Sequence, residues 1–397
     1  MTRLLVLAVD GLDWPLLMAE HTAGRMPQLS RLLAPGVQAR LATPAQTAES
    51  AAARWASIAC GTAPAQHGIA HDLIRRADGL RLAPPVAADL HALPLWQHAW
   101  QAGLGACVAG WPATAACRIP PQAGPGSMAV ADDFQRPDAC EQRAWPLSPA
   151  AVAPQAGRAW VRAARMHPVE VGGDMLSALL PAPVSVTTRQ TLGGATATLL
   201  ARWASVHNLG VHWCEQTEAP LVMLRLDGLP AWRRKAAACA EPGAANEAPW
   251  LAWLDLLLGR YAAPLQGGGH LMLLSDQGPA RSGDSPGAGG AQGGILVSGP
   301  RLAEEPALQA WPATLPAQRV LPMALALLGL KAPEDSDGRA LGDTPGGLAT
   351  VSAPPLCDQD ALAWLHAQGL AAVDLTALAQ AAQAVHEATL QRLREPG

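Results

Sequence analysis

The chain is poor in charge, in lysine and in two of the three aromatic types. Asp, Glu, Lys and Arg together make up 15% of the 397 residues, and half the chain is hydrophobic. That balance excludes a disordered or highly charged scaffold and favours a large buried core. Lys+Arg number 28 against 32 Asp+Glu, a formal net charge of -4. No global basic surplus exists to attract nucleic acid or anionic lipid. Lys235 and Lys331 are the only lysines, so cationic sites rest on arginine. Tyr261 and Phe134 stand alone of their kinds beside 14 Trp. The seven Cys are odd in number and none forms a CxxC pair, which weakens zinc-ribbon and disulfide-framework readings. Free thiols in a reducing cytoplasm are the expected state. No stretch reaches the ~20 apolar residues of a spanning helix. The apolar run at the start ends at Asp10, too soon for a secretory segment. A soluble cytoplasmic protein with no nucleic-acid and no membrane partner is expected, and the chain carries no internal repeat.

Several short apolar runs end in polar turns. Leu4 to Val9 leads into Asp10-Gly11, and Leu221 to Leu226, interrupted only by Arg225, leads into Asp227-Gly228. Leu271 to Leu274 leads into Ser275-Asp276, and Ile295 to Val297 into Ser298-Gly299-Pro300. Such runs suit buried parallel strands. Helical patterns lie between them: Gln28 to Leu33, Ala51 to Cys60, Trp250 to Tyr261 and Ala317 to Leu328, with Gly61 and Gly329 as stop signals. Alternating strands and helices predict an α/β fold, a mainly parallel central sheet flanked by helices on both faces. Ligands of such sheets sit outside the carboxyl ends of the strands. Asp10, Asp227 and Asp276 fall at three such ends. Taken singly, each is well explained as a turn or helix-capping residue. Three at equivalent strand ends point to a shared site. Carboxylates that converge repel one another and need a cation, a nearby arginine or a raised pKa.

The expected organisation is one α/β domain over residues 1–350 and a C-terminal helical tail over 351–397. About residues 84–210, rich in Pro, Ala and Trp, read as an inserted cap with strand-like pieces at Ala106 to Trp111 and Met128 to Ala131, and Gly278 to Gly294 as a Gly-rich loop.

The order of the motifs resembles the alkaline phosphatase superfamily, in its type I phosphodiesterase/nucleotide pyrophosphatase branch. Val9-Asp10-Gly11-Leu12-Asp13 is similar to the family's first metal-ligand strand, and Met26-Pro27-Gln28-Leu29 to its Met-Pro-x-Leu helix. Trp55-Ala56-Ser57-Ile58-Ala59-Cys60-Gly61 and His67-Gly68-Ile69 resemble the nucleophile helix and the turn after it. Gly110-Trp111-Pro112-Ala113-Thr114 and Ala131-Asp132-Asp133-Phe134 resemble parts of the family's inserted region. Ser275-Asp276-Gln277-Gly278 resembles Ser-Asp-His-Gly, and Ala326 to Leu330 with Pro333 to Arg339 the closing helix and acidic loop. The resemblance implies an alkaline phosphatase-like fold and two divalent metals, usually zinc, that activate a Ser or Thr against a phosphoester. It assigns metal-ligand roles to Asp10, Asp227 and Asp276.

The chain departs from the family pattern at every histidine ligand. Four residues beyond Asp227 stands Ala231, the residue after Asp276 is Gln277, and no histidine lies around Gly290. Zinc prefers mixed nitrogen and oxygen ligands, so these losses strike at zinc in particular. His67, His71 and His270 lie near motifs but not at ligand positions. The nucleophile position counted back from Trp55 is Ala51. Ser50, one residue off, is the displaced candidate, and its alternative role is the N-cap of the following helix. The expectation is therefore a phosphodiesterase-like protein with weak or lost hydrolase activity that binds a phosphorylated small molecule. One alternative is an active phosphoester or phosphodiester hydrolase. It would use a Mg²⁺ or Mn²⁺ site of three carboxylates and the Gln277 carbonyl oxygen, with Ser50 or water attacking. Another is a non-catalytic interaction protein that forms homo-oligomers through the helical tail.

Overall fold

The computed structural model describes residues 4–43, 50–76, 81–135, 147–180, 184–265, 268–279, 292–299, 302 and 312–332. Its strands in chain order are β1 (Leu4–Val9), β2 (Val37–Ala42), β3 (Ile74–Arg75), β4 (Leu82–Ala83), β5 (Ala106–Ala109), β6 (Met128–Val130), β7 (Val152–Ala153), β8 (Leu221–Leu226), β9 (His270–Gln277), β10 (Gln292–Ser298) and β11 (Thr314–Pro316). β1 is buried at every position. Leu5, Leu7 and Val9 pack into the core on one face of the sheet, and Leu4, Val6 and Ala8 into the core on the other. A strand covered on both faces has no solvent side, so its sequence shows no polar alternation.

Nine strands form one sheet in the order β11-β2-β10-β9-β1-β8-β5-β6-β7, and β3 pairs with β4 apart from it. β1 runs parallel to both neighbours, β8 and β9. β10 is antiparallel to β9 and β2, and β7 is antiparallel to β6. The remaining pairs are parallel. Helices Val186–Gln216 and Ala248–Leu265 supply the core on one face, and Ala51–Cys60, Leu95–Gln101 and Val320–Leu327 the core on the other. This is the two-sided, mainly parallel α/β architecture that the alternating pattern predicts.

Ala51–Cys60 ends as expected, at Gly61 with φ of 66°. The Ala317 to Leu328 pattern divides into a 3₁₀ turn, Ala317–Arg319, and the helix Val320–Leu327. Of residues 84–210, read from sequence as a cap over the sheet, β5, β6 and β7 are strands of the sheet itself. The same stretch begins the helix Val186–Gln216, which packs on β8. The strand-like pieces at Ala106 to Trp111 and Met128 to Ala131 are thus strands, but pieces this short do not show from sequence which sheet they join. The tail over 351–397, the Pro333 to Arg339 loop and most of the Gly278 to Gly294 loop lie outside the described residues.

Candidate active-site cleft

Sheet register sets the site. β1 and β8 stay paired from Leu4 opposite Leu221 to Val9 opposite Leu226. β1 and β9 stay paired from Leu4 opposite His270 to Ala8 opposite Leu274. Extending either ladder past its last pair sets Asp10 level with Asp227 and with Asp276. The Asp10 amide still donates to the Leu226 carbonyl at 2.9 Å, so the β1–β8 pairing carries on to the aspartate itself. All three carboxylates are buried, at 7%, 5% and 0% exposure for Asp10, Asp227 and Asp276.

Each of the six carboxylate oxygens accepts a hydrogen bond, and each carboxylate meets an arginine. Asp10 Oδ2 lies 3.2 Å from Arg225 Nη2, and its Oδ1 accepts from Trp55 Nε1 at 3.3 Å. Asp276 Oδ2 accepts from Arg54 Nε at 2.7 Å, and its Oδ1 from the Gly11 amide at 2.9 Å. Asp227 Oδ2 accepts from Arg202 Nη2, and its Oδ1 from Gln135 Nε2 at 2.9 Å. Arg225 also lies 4.0 Å from Asp227, donates to the Gly110 carbonyl at 2.9 Å and stands 5.6 Å from the Trp55 ring centroid. Burial pushes the Asp10 carboxyl above the usual range, the Asp276 charge adds to that, and Arg225, Arg54 and the Trp55 bond oppose it. Burial works against the Arg225 charge, but Asp10, Asp227, Asp132 and Asp276 outweigh it and hold that guanidinium above its ordinary pKa.

Ser50 is the N-cap of Ala51–Cys60, and its Oγ accepts from the Ala53 amide at 3.1 Å. The same hydroxyl donates to Asp72 Oδ1 at 3.0 Å, and that oxygen also accepts from the Ala52 amide at 2.8 Å. A carboxylate of the chain thus sits at the positive end of this helix, where anions are favoured. His67 is a structural residue. Its Nδ1 accepts from the Ile69 amide at 3.2 Å, which leaves Nε2 to donate to Ser57 Oγ at 2.9 Å. Burial lowers its pKa to about 4. His270 lies at the opposite end of β9 from Asp276, and His71 is exposed.

These residues open on a cleft of about 790 Å³. Asp10, Asp227, Ala51, Ala52, Asp72 and Gln277 line it, with Arg54, Arg202, Arg225, Arg233 and Arg234. Arg233 ties down the Asp10-Gly11 turn: it pairs with Glu247 and donates to the Gly11 carbonyl at 2.8 Å. Asp276 lies behind the wall. The structure therefore gathers the three aspartates and brings Gln277 to the opening, while Ser50 is buried behind Ala51 and Ala52, the residues of its helix that line the cleft.

Sequence reasoning missed Arg54, Arg202, Gln135 and Asp72 as parts of the site. It had one usable signal, Arg225 inside an apolar run. Arginine is almost never fully buried unless paired, so an arginine within a two-sided strand demands a carboxylate nearby.

The donor set does not fit two zinc ions. Nitrogen ligands are absent at Ala231 and Gln277, and a dication at these oxygens would face guanidiniums already bonded to them. Among the described residues, no group of three or more His, Cys, Asp and Glu is arranged to hold a metal.

The cleft thus lies at the carboxyl ends of the parallel strands of an α/β protein, lined by Asp10 and Asp227 and faced by the N-terminus of Ala51–Cys60. Residues 4–160 match the family model for type I phosphodiesterase / nucleotide pyrophosphatase. No curated protein matches the chain. Among solved structures, phosphonoacetate hydrolase from Sinorhizobium meliloti 1021 is similar at 18% identity with a TM-score of 0.43, covering 71% of this chain and 58% of that one. Murine ectonucleotide pyrophosphatase / phosphodiesterase 5 is similar at 14% identity and TM-score 0.36, covering 70% and 57%. A 2-O GAG sulfatase is similar at 11% identity and TM-score 0.47, covering 86% and 73%. The chain spans less than two thirds of the length of the first two. Among the described residues, no helix is long and apolar enough to cross a membrane.

Proposed function

We propose that the protein binds a phosphorylated small molecule in this cleft and does not hydrolyse it by a two-metal route. One observation carries the reading: every oxygen of Asp10, Asp227 and Asp276 is engaged, and each carboxylate is matched by an arginine. The Ser50 hydroxyl supports it further: it is buried, outside the cleft lining, and accepts from the Ala53 amide as the helix N-cap. The cleft volume falls in the range of small-molecule sites. Arg234, exposed at the cleft wall, and the first turn of Ala51–Cys60 suit a phosphate group. Asp72 competes for that turn, so the ligand would displace it.

The test is calorimetric titration with p-nitrophenyl phosphate, run beside assays for p-nitrophenol release from that ester and from its bis-ester. The expected result is saturable binding without release, weakened in Arg234→Ala and strengthened in Asp72→Ala. Absence of saturable binding would remove the ligand. Release that needs a divalent ion and disappears in Asp10→Asn would establish a working hydrolase with a carboxylate-rich Mg²⁺ or Mn²⁺ site instead.

A further inference from the structure

Four buried carboxylates gather at this end of the sheet: Asp10, Asp132, Asp227 and Asp276. Left alone they would repel one another and their charges would be lost. Three guanidiniums face them. Arg54 binds Asp276, Arg202 binds Asp227, and Arg225 binds Asp10 while drawing on all four. The cluster retains one net negative charge. Nearly the whole electrostatic task of a metal pair is thus met by side chains of the chain itself.

The arginines are built in rather than borrowed from the surface. Arg225 grows from the interior of β8, and its second nitrogen is fixed by the Gly110 carbonyl. Arg54 lies in the first turn of a helix capped at Ser50 and closed at Gly61. Arg202 comes from the middle of Val186–Gln216, where the next residue, Trp203, donates to the Asp227 carbonyl at 3.0 Å. A long surface arginine swings aside for an incoming ion. Arg54 and Arg225 have side chains only 6% exposed and Arg202 16%, so displacing any of them would leave a largely buried guanidinium without its carboxylate. Guanidinium also keeps its charge at all working pH values, and its forked donors match carboxylate geometry.

We infer that Arg54, Arg202 and Arg225 are the resident cations of this centre, so that it assembles without a divalent metal and excludes one. The claim is independent of what the cleft binds. Metal uptake without turnover would remove this inference and leave the proposed binding standing; no saturable phosphate-ester binding in a chain that takes up no metal would do the reverse.

The full chain, freed of metal by a chelator and then dialysed, is titrated with Zn²⁺ and with Mn²⁺ by calorimetry. The expected result is no uptake that depends on Asp10 or Asp276. Any binding seen is then identical in Asp10→Asn and Asp276→Asn and belongs elsewhere on the surface. One or two saturable equivalents in the native chain, absent from either variant, would overturn the inference. A second measurement needs no metal. Arg225→Met is expected to lower the Tm by several degrees, with Arg225→Lys between it and the native chain. A Met variant that unfolds at the native Tm would also overturn it, since a resident cation cannot be removed without consequence.

Discussion

An arginine inside a parallel strand loses its hydration, and only carboxylates held at the right height restore the balance. At Arg225 that height is set by the β1–β8 register, which places Asp10 and Asp227 just beyond the guanidinium's own strand position. Removing one partner of such a buried pair costs about 3–5 kcal/mol, because the other charge stays behind unpaired. Arg225→Ala is expected to lose stability of that order in urea unfolding, and Arg225→Met combined with Asp10→Leu to lose less than the sum of the single changes. Ser50→Ala removes an N-cap and should cost about 1 kcal/mol. His67 titrates in the opposite sense to a salt-bridged histidine. Its folded pKa is near 4, below the ordinary 6.5, so the unfolded chain binds the extra proton first. Its contribution is therefore full above pH 6.5 and lost as the pH falls towards 4, about 3 kcal/mol in all. His67→Gln should flatten that part of the stability–pH curve relative to the native chain.

At the scale of elements, the turns after β1 and β8 decide whether the aspartates meet. Gly11 follows Asp10 with φ of 70°, its amide donates to Asp276 and its carbonyl accepts from Arg233. A Cβ there would stand 2.4 Å from Pro230 Cγ. Gly11→Ala combines a left-handed backbone with this clash, and should destabilise the chain by about 2 kcal/mol or more. Thermal unfolding of the variant checks this. These strand ends were legible beforehand, because an apolar run stopped by Asp-Gly is a local signal. The partners of the aspartates were not. Arg54 stands 222 positions from Asp276, and only the fold makes them neighbours. Arg202 lies in a 31-residue helix whose start fell in the stretch of weakest periodicity. The sheet strands at Ala106–Ala109 and Met128–Val130 were recognised as strand-like but not as parts of the central sheet, since nothing in four or three residues specifies which edge they join. Ser50 shows the limit from the other side. Its N-cap geometry follows from sequence, whereas its bond to Asp72 depends on the path of the chain after Gly68.

Across the whole molecule, two cores on opposite faces clamp the sheet, and the site occupies the one end where strands, a helix N-terminus and a long helix converge. The architecture is a mainly parallel α/β sheet covered on both faces, and residues 4–160 match the family model for type I phosphodiesterase / nucleotide pyrophosphatase. Function, however, follows the side chains at the site rather than the fold that holds them. Charge that a metal pair would neutralise is neutralised by arginine, and the helix end that would receive a phosphate meets Asp72 first. Buried thiols add nothing to this chemistry. Burial lifts Cys60 to about 12 and Cys117 to about 11, and both should resist alkylation in the native chain at pH 8 while the unfolded chain reacts.

With Arg54, Arg202 and Arg225 as its cations, this centre draws no stability from a divalent metal. Thermal unfolding of one preparation in excess EDTA, in Zn²⁺ and in Mn²⁺ tests it most directly, because a ligand that binds only the folded state raises Tm by mass action. The same Tm is expected in all three solutions. A Tm that falls in EDTA, recovers with either ion, and loses that response in Asp10→Asn would contradict it.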